Sequence, residues 1–170
     1  MKKNLIFLCI FCLLAFANTL LAQDIVGFWK SMDGKTKHRQ SVIAIYEYQG
    51  RYYGRIILTY NDDGSLEDTI YAPKNRAPGV IGKPFYAGMD IIWDLEPYGS
   101  KYKNGSILDP EHGKVYDAEL WVENNKLIVR GEFFIFGRNQ TWPAATESDF
   151  PPNFKKPDLT KLVPLIPQVN

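Results

Sequence analysis

The sequence predicts an all-β domain, an antiparallel up-and-down barrel of about eight strands. Three observations predict it. Between residues 23 and 142, short runs of β-branched and aromatic residues alternate with turn signals. No part of that region keeps a long helical period. The 170 residues are 45% apolar and 14% aromatic, enough to fill one core and unlike a disordered chain.

The first 22 residues have the three parts of a secretory signal peptide. Met1-Lys2-Lys3 is the basic start, residues 5–17 are an almost unbroken apolar run, and Leu20-Leu21-Ala22 leads to an expected cleavage after Ala22. The apolar core is too short for the ~20 residues a membrane helix needs, so no membrane span is expected. Cys9 and Cys12 are the only cysteines, and both fall in this leader. The exported chain, periplasmic or extracellular, would therefore hold its fold without disulfides. Without Lys2 and Lys3 it carries 18 basic and 19 acidic residues. That balance argues against a nucleic-acid partner, which would require net positive charge against phosphates.

Residues 25–30 are the first expected strand and 41–48 the second. Gln49-Gly50 links the second to Arg51–Tyr60 in a tight hairpin, and Asn61-Asp62-Asp63-Gly64 ends the third strand. Residues 65–88 hold three prolines and three glycines and read as a long loop with a short helical turn near 66–71. Strand character resumes at 89–95, briefly at 106–108, and then over Lys114–Glu123, where Tyr116, Ala118, Leu120 and Val122 share a face. Asn124-Asn125 turns the chain into 126–134, and 138–142 is the last strand. An eight-strand barrel encloses room for packed side chains or one small ligand. Residues 143–170 contain 6 of the 11 prolines but stay apolar through Phe150, Phe154, Leu159, Leu162, Val163, Leu165 and Ile166. Proline cannot donate to a sheet ladder, so this is expected to be an extended tail packed along the barrel.

Gly27-x-Trp29 on a first strand, with a meander ending near Arg138, resembles the calycin pattern of lipocalins. Three further stretches resemble the bacterial DUF2147 family: Asn104 to Tyr116 (NGSILDPEHGKVY), Lys126 to Gly131 (KLIVRG) and Gly137 to Trp142 (GRNQTW). The resemblance implies a lipocalin-like barrel and assigns no activity. It also implies that Trp29 sits at one barrel end beneath Arg138. Many members carry cysteines in the loop before the central Gly-rich segment, whereas residues 68–74 here have none. Pro143-Ala144-Ala145 and the extension beyond also depart from the family core.

Asp109-Pro110-Glu111-His112-Gly113 combines metal-ligand and acid–base side chains, but its order is turn chemistry. His38 and His112 are the only histidines, and no Gly-x-Ser-x-Gly elbow is present, so no metal, cofactor or triad is expected. Asp90, Asp94, Glu96 and Glu132 could form a hydrolytic carboxylate pair, or could be ion-paired with Arg55 or Arg130. Nothing here selects catalytic residues.

Alternation places Tyr52 and Gly54, and likewise Ala118, on the apolar faces of their strands. Small residues there would leave space, with Tyr46, Tyr52 and Phe85 as walls and the 65–88 loop over the mouth. The expected site is thus Tyr46, Tyr52, Gly54, Phe85 and Ala118, at the end opposite Trp29. The expected function is binding of a small apolar or amphipathic ligand. The alternative is a filled barrel whose surface or tail engages an envelope partner.

Overall fold

The computed structural model describes residues 22–32, 38–132 and 138–169; the side chains of Glu132 and Arg138 are not among the described features. Residues 1–21 of the expected signal peptide and Phe133 lie outside these residues. Eight strands form the ring in chain order: β1 (Gly27–Met32), β2 (Arg39–Tyr48), β3 (Arg51–Tyr60), β5 (Asp90–Tyr98), β6 (Lys101–Asp109), β7 (Lys114–Glu123), β8 (Lys126–Glu132) and β9 (Arg138–Pro143). All neighbours are antiparallel. The ring nearly closes where Trp29 bridges Ala144 and the Ala145 N–H donates to the Phe28 carbonyl at 2.8 Å. The up-and-down barrel is therefore present. Among the described residues, no helix is long and apolar enough to cross a membrane.

The hairpin turns follow from local chemistry. Gln49 and Gly50 both take positive φ, as do Asn124 and Asn125, the backbone that a two-residue turn with the twist of a hairpin requires. Two expectations change. The stretch expected to be a helical turn is a short strand, β4 (Leu66–Thr69), paired with the end of β3. A four-residue helix cannot offset its nucleation cost, whereas β3 runs past β5 and offers free ladder positions. The strand seen only at 106–108 extends over all of β6. Its polar start is stabilised from β7, where Glu119 accepts from Lys101, and the Lys101 ammonium lies 4.1 Å from the Trp121 ring.

One barrel end is closed. Residues 22–26 cross it, with Ile25 fully buried and Trp29 donating its indole N–H to the Ile25 carbonyl at 2.8 Å. Tyr102 reaches the Gln23 carbonyl at 3.4 Å and meets Tyr52 edge to face, ring centroids 4.6 Å apart. Burial, then the neighbouring Tyr52, pushes the Tyr102 phenol up to about 12. The interior above this seal is filled by Ile43, Ile45, Ile92, Leu95 and Leu120.

The tail wraps the outside of the barrel. Asp149 accepts from Thr146 and pairs with Lys30 and Arg39, each at 3.1 Å. Burial opposes its charge, but the Thr146 hydrogen bonds and Lys30 outweigh that and hold the carboxyl below the usual range. Phe150 meets Phe28 edge to face and stacks on Phe154, which touches Tyr71. Farther on, the tail covers β2 and β3. This explains why residues 41–46 and 53–58 are buried without interruption: their inner face meets the core and their outer face meets the tail.

Candidate functional site

The half of the barrel opposite the Ile25 seal contains a cavity of about 1240 Å³. Its depth is apolar. Ile56, Ile91, Leu108, Val129 and Trp142 line it and are all buried, and Ile107 joins them. Trp142 is fixed by donating its indole N–H to Gln140 Oε1 at 2.8 Å. A buried hydroxyl pair, Ser31 Oγ and Ser41 Oγ 2.6 Å apart, adds one polar point to the wall. The rim is polar and solvent-facing, with Asp62, Glu67, Asp109, Glu111 and Arg76 among its residues. Burial, then Glu111, Asp109 and Glu67, raises the Tyr86 phenol above its ordinary value, so the rim's acidic field reaches the roof.

The roof is built from the 65–88 stretch, which is more ordered than a loop. Ala77 donates to the Pro84 carbonyl at 2.9 Å and Tyr86 to the Asn75 carbonyl at 3.0 Å, making a small hairpin. Arg76 locks it by lying 4.0 Å over the Phe85 ring and donating to the Lys83 carbonyl at 2.9 Å. Gly79 rests on the β6–β7 turn, donating to the Pro110 carbonyl at 3.2 Å. A Cβ on Gly113 would overlap the Gly79 carbonyl, so only glycine on both sides permits this approach. Asp109 shapes that turn: its carboxylate accepts from the Glu111 and His112 N–H groups and meets His112 Nδ1 at 2.8 Å. This is the turn chemistry expected of the segment. Among the described residues, no three His, Cys, Asp or Glu side chains gather as a metal would require.

The structure places the five expected site residues elsewhere. Tyr46 is on the outer face, donating to Asp90 Oδ2 at 2.9 Å and stacked on Tyr53. Tyr52 belongs to the closed end. Gly54 faces inward, but Ile45 Cδ1 and Ile92 Cβ would each stand 3.0 Å from a Cβ there, so its space is already filled. Ala118 is buried opposite Gly105 and Gly131. Phe85 is in the roof hairpin. None of the five lines the cavity, although it does open beneath the 65–88 stretch as expected. Period-two alternation gives the face of a strand and not the height along it. Gly54→Leu is accordingly expected to cost ~1–3 kcal/mol through overpacking. Its folded fraction should bind cavity probes as well as the parent does, which denaturation and probe titration on the same sample would measure.

Trp29 is buried at the closed end, but backbone register separates it from Arg138. Trp29 faces Ala144, six residues along β9 from Arg138, a separation of about 20 Å in an extended strand. The Arg138 side chain lies outside the described residues. The carboxylates considered for hydrolysis take structural partners: Asp90 pairs with Arg55, Asp94 accepts from Tyr53 at 3.0 Å and Glu96 pairs with Arg51 at 2.7 Å. Trp142 and Ile107 are not singled out by the sequence, although 126–134 and 138–142 read as strands with apolar faces.

Fold and cavity together define a lipocalin-like β-barrel with a roofed, apolar-floored chamber. The chain belongs to DUF2147, a family described as an uncharacterized protein conserved in bacteria, whose model matches residues 27–143. It is similar in fold to protein HP1028 from the human pathogen Helicobacter pylori, described as belonging to the lipocalin family. Identity is 19%, the match covers 74% of this chain and 86% of that one, and the TM-score is 0.57. No curated protein sequence matches this chain.

Proposed function

We propose that this is an exported carrier that holds one small amphipathic ligand in the cavity. The observation that carries this reading is the gradient inside it. Trp142, Val129 and Ile107 offer an apolar floor, and Asp62, Glu67 and Glu111 offer polar groups at the rim. Ligand sites are commonly mostly apolar with a few placed polar groups. The lipocalin-like fold is compatible with this use, and the basic-apolar leader of residues 1–22 supports export. A second reading, docking to an envelope partner, is favoured by Val163, Leu165 and Ile166, which are exposed along the tail.

Gly131 provides the test. It lines the cavity, and a Cβ there would sit 3.3 Å from Ile107 Cγ2 and 3.9 Å from Tyr116 Cβ. Gly131→Phe should therefore project a ring into the apolar depth of the chamber beside Ile107. Titration with N-phenyl-1-naphthylamine should show affinity falling at least ~10-fold, equivalent to ~1.4 kcal/mol. Unchanged affinity in a folded variant would place the ligand outside the barrel and favour the partner reading.

A further inference from the structure

The tail touches the roof at both ends and in the middle. At its start, Tyr71 donates its hydroxyl to the Lys155 carbonyl at 2.7 Å and packs on Phe154, ring centroids 5.4 Å apart. In the middle, the Ile81 N–H donates to the Gln168 carbonyl at 3.1 Å. At its end, the Asp90 N–H donates to the Leu165 carbonyl at 3.2 Å, and the Leu165 N–H donates back to Asp90 Oδ2. Arg55 reinforces this last point by reaching the Val163 carbonyl at 2.6 Å while paired with Asp90. Val169 then packs against the apolar cluster that contains Ala77 and Val80 on the roof's inner side.

These contacts differ from those expected of a tail that merely covers apolar surface. They are hydrogen bonds to the tail's backbone groups, directed at residues 71, 81 and 90, with the barrel's own buried Arg55–Asp90 pair beneath the last of them. Those positions are the two ends and the turn of the segment whose inner side carries Arg76, Pro78 and Tyr86 into the cavity. The family match spans residues 27–143, which hold the barrel strands and the roof, and stops before the tail. On the chamber side, the roof hairpin is held by the Gly79 contact with the β6–β7 turn and, at its base, by the Gly88 N–H donating to the Ile56 carbonyl at 2.9 Å. Without the tail, the tip between residues 77 and 84 would keep the Gly79–Pro110 bond and the packing of Ala77 and Val80 in the core cluster.

We propose that the C-terminal tail is a strap that holds the roof hairpin down over the cavity, so that its release widens the mouth. The consequence for ligand exchange rests on the carrier reading; the strap itself does not. Local opening is governed by the few contacts that hold a segment, and amide exchange reports it directly. In a chain ending after Lys161, the Ala77 and Tyr86 amides should exchange at least tenfold faster, while those of β7 and β8 stay as in the parent. Release of N-phenyl-1-naphthylamine should accelerate with them. Unchanged roof exchange in that folded variant would overturn the strap. Should the truncation also loosen β7 and β8, the pair Ile81→Cys and Gln168→Cys decides. Roof exchange at least tenfold slower in the oxidised than in the reduced form supports the strap, and equal exchange overturns it. Faster roof exchange in the truncated chain, together with a parent that binds no probe, would leave the strap standing and remove the carrier reading.

Discussion

Replacing Asp90 by alanine is expected to destabilise the protein by ~3–5 kcal/mol, the cost of breaking a buried ion pair from one side. Asp90 is completely buried and accepts Arg55 Nε at 3.0 Å, Arg55 Nη2 at 2.9 Å and the Tyr46 hydroxyl at 2.9 Å. Burial, then the Asp90 charge, drives the Tyr46 phenol far above its ordinary range, so at neutral pH it stays a neutral donor. Removing the carboxylate leaves the Arg55 guanidinium buried with only the Val163 carbonyl and the Tyr46 oxygen as acceptors. Urea denaturation should show the loss. The double variant Arg55→Met/Asp90→Leu should recover much of it, because no unpaired charge remains. A loss below ~1 kcal/mol in Asp90→Ala would mean that solvent reaches this site and that the tail does not cover it.

Trp29→Ala should cost a similar ~3–5 kcal/mol, by truncation of a buried aromatic and loss of the packing it supports. Trp29 belongs to the core cluster with Ile25, Leu127 and Trp142, and its indole fixes the segment that seals the barrel end. Its backbone also takes part in the bridge to Ala144 that nearly closes the ring. Trp29→Phe should lose less, because the ring volume remains while the Ile25 hydrogen bond goes. Equal stability of Trp29→Ala and the parent in urea would show that the closed end does not depend on this residue.

The fold was legible in the sequence because its signals are local. Gln49-Gly50 and Asn124-Asn125 set the turns, and Lys114–Glu123 alternates cleanly, since β7 has one face in the core. The region under the tail was harder to read. Ser41 to Tyr46 shows no alternation, because both of its faces are buried, so the pattern does not tell which way Tyr46 faces. Its partners Arg55 and Asp90 are 9 and 44 residues away, a distance at which no periodicity operates. The cavity floor was missed for a related reason. Whether an inward residue meets a neighbour or empty space depends on what stands across the barrel: Gly54 faces Ile92, while Gly131 faces the chamber beside Ile107. Small size at an inward position is thus not a sign of free volume. The roof hairpin rests on Gly79 meeting Gly113, a contact between segments that sequence spacing does not reveal.

The central claim is that the chamber floored by Trp142, Val129 and Ile107 carries a ligand. Native mass spectrometry of the protein purified from its own host tests it most directly. The account predicts a defined mass above that of the polypeptide under gentle conditions, lost on denaturation and absent from Gly131→Phe purified in the same way. The polypeptide mass alone in the parent, or the same added mass retained by Gly131→Phe, would contradict it.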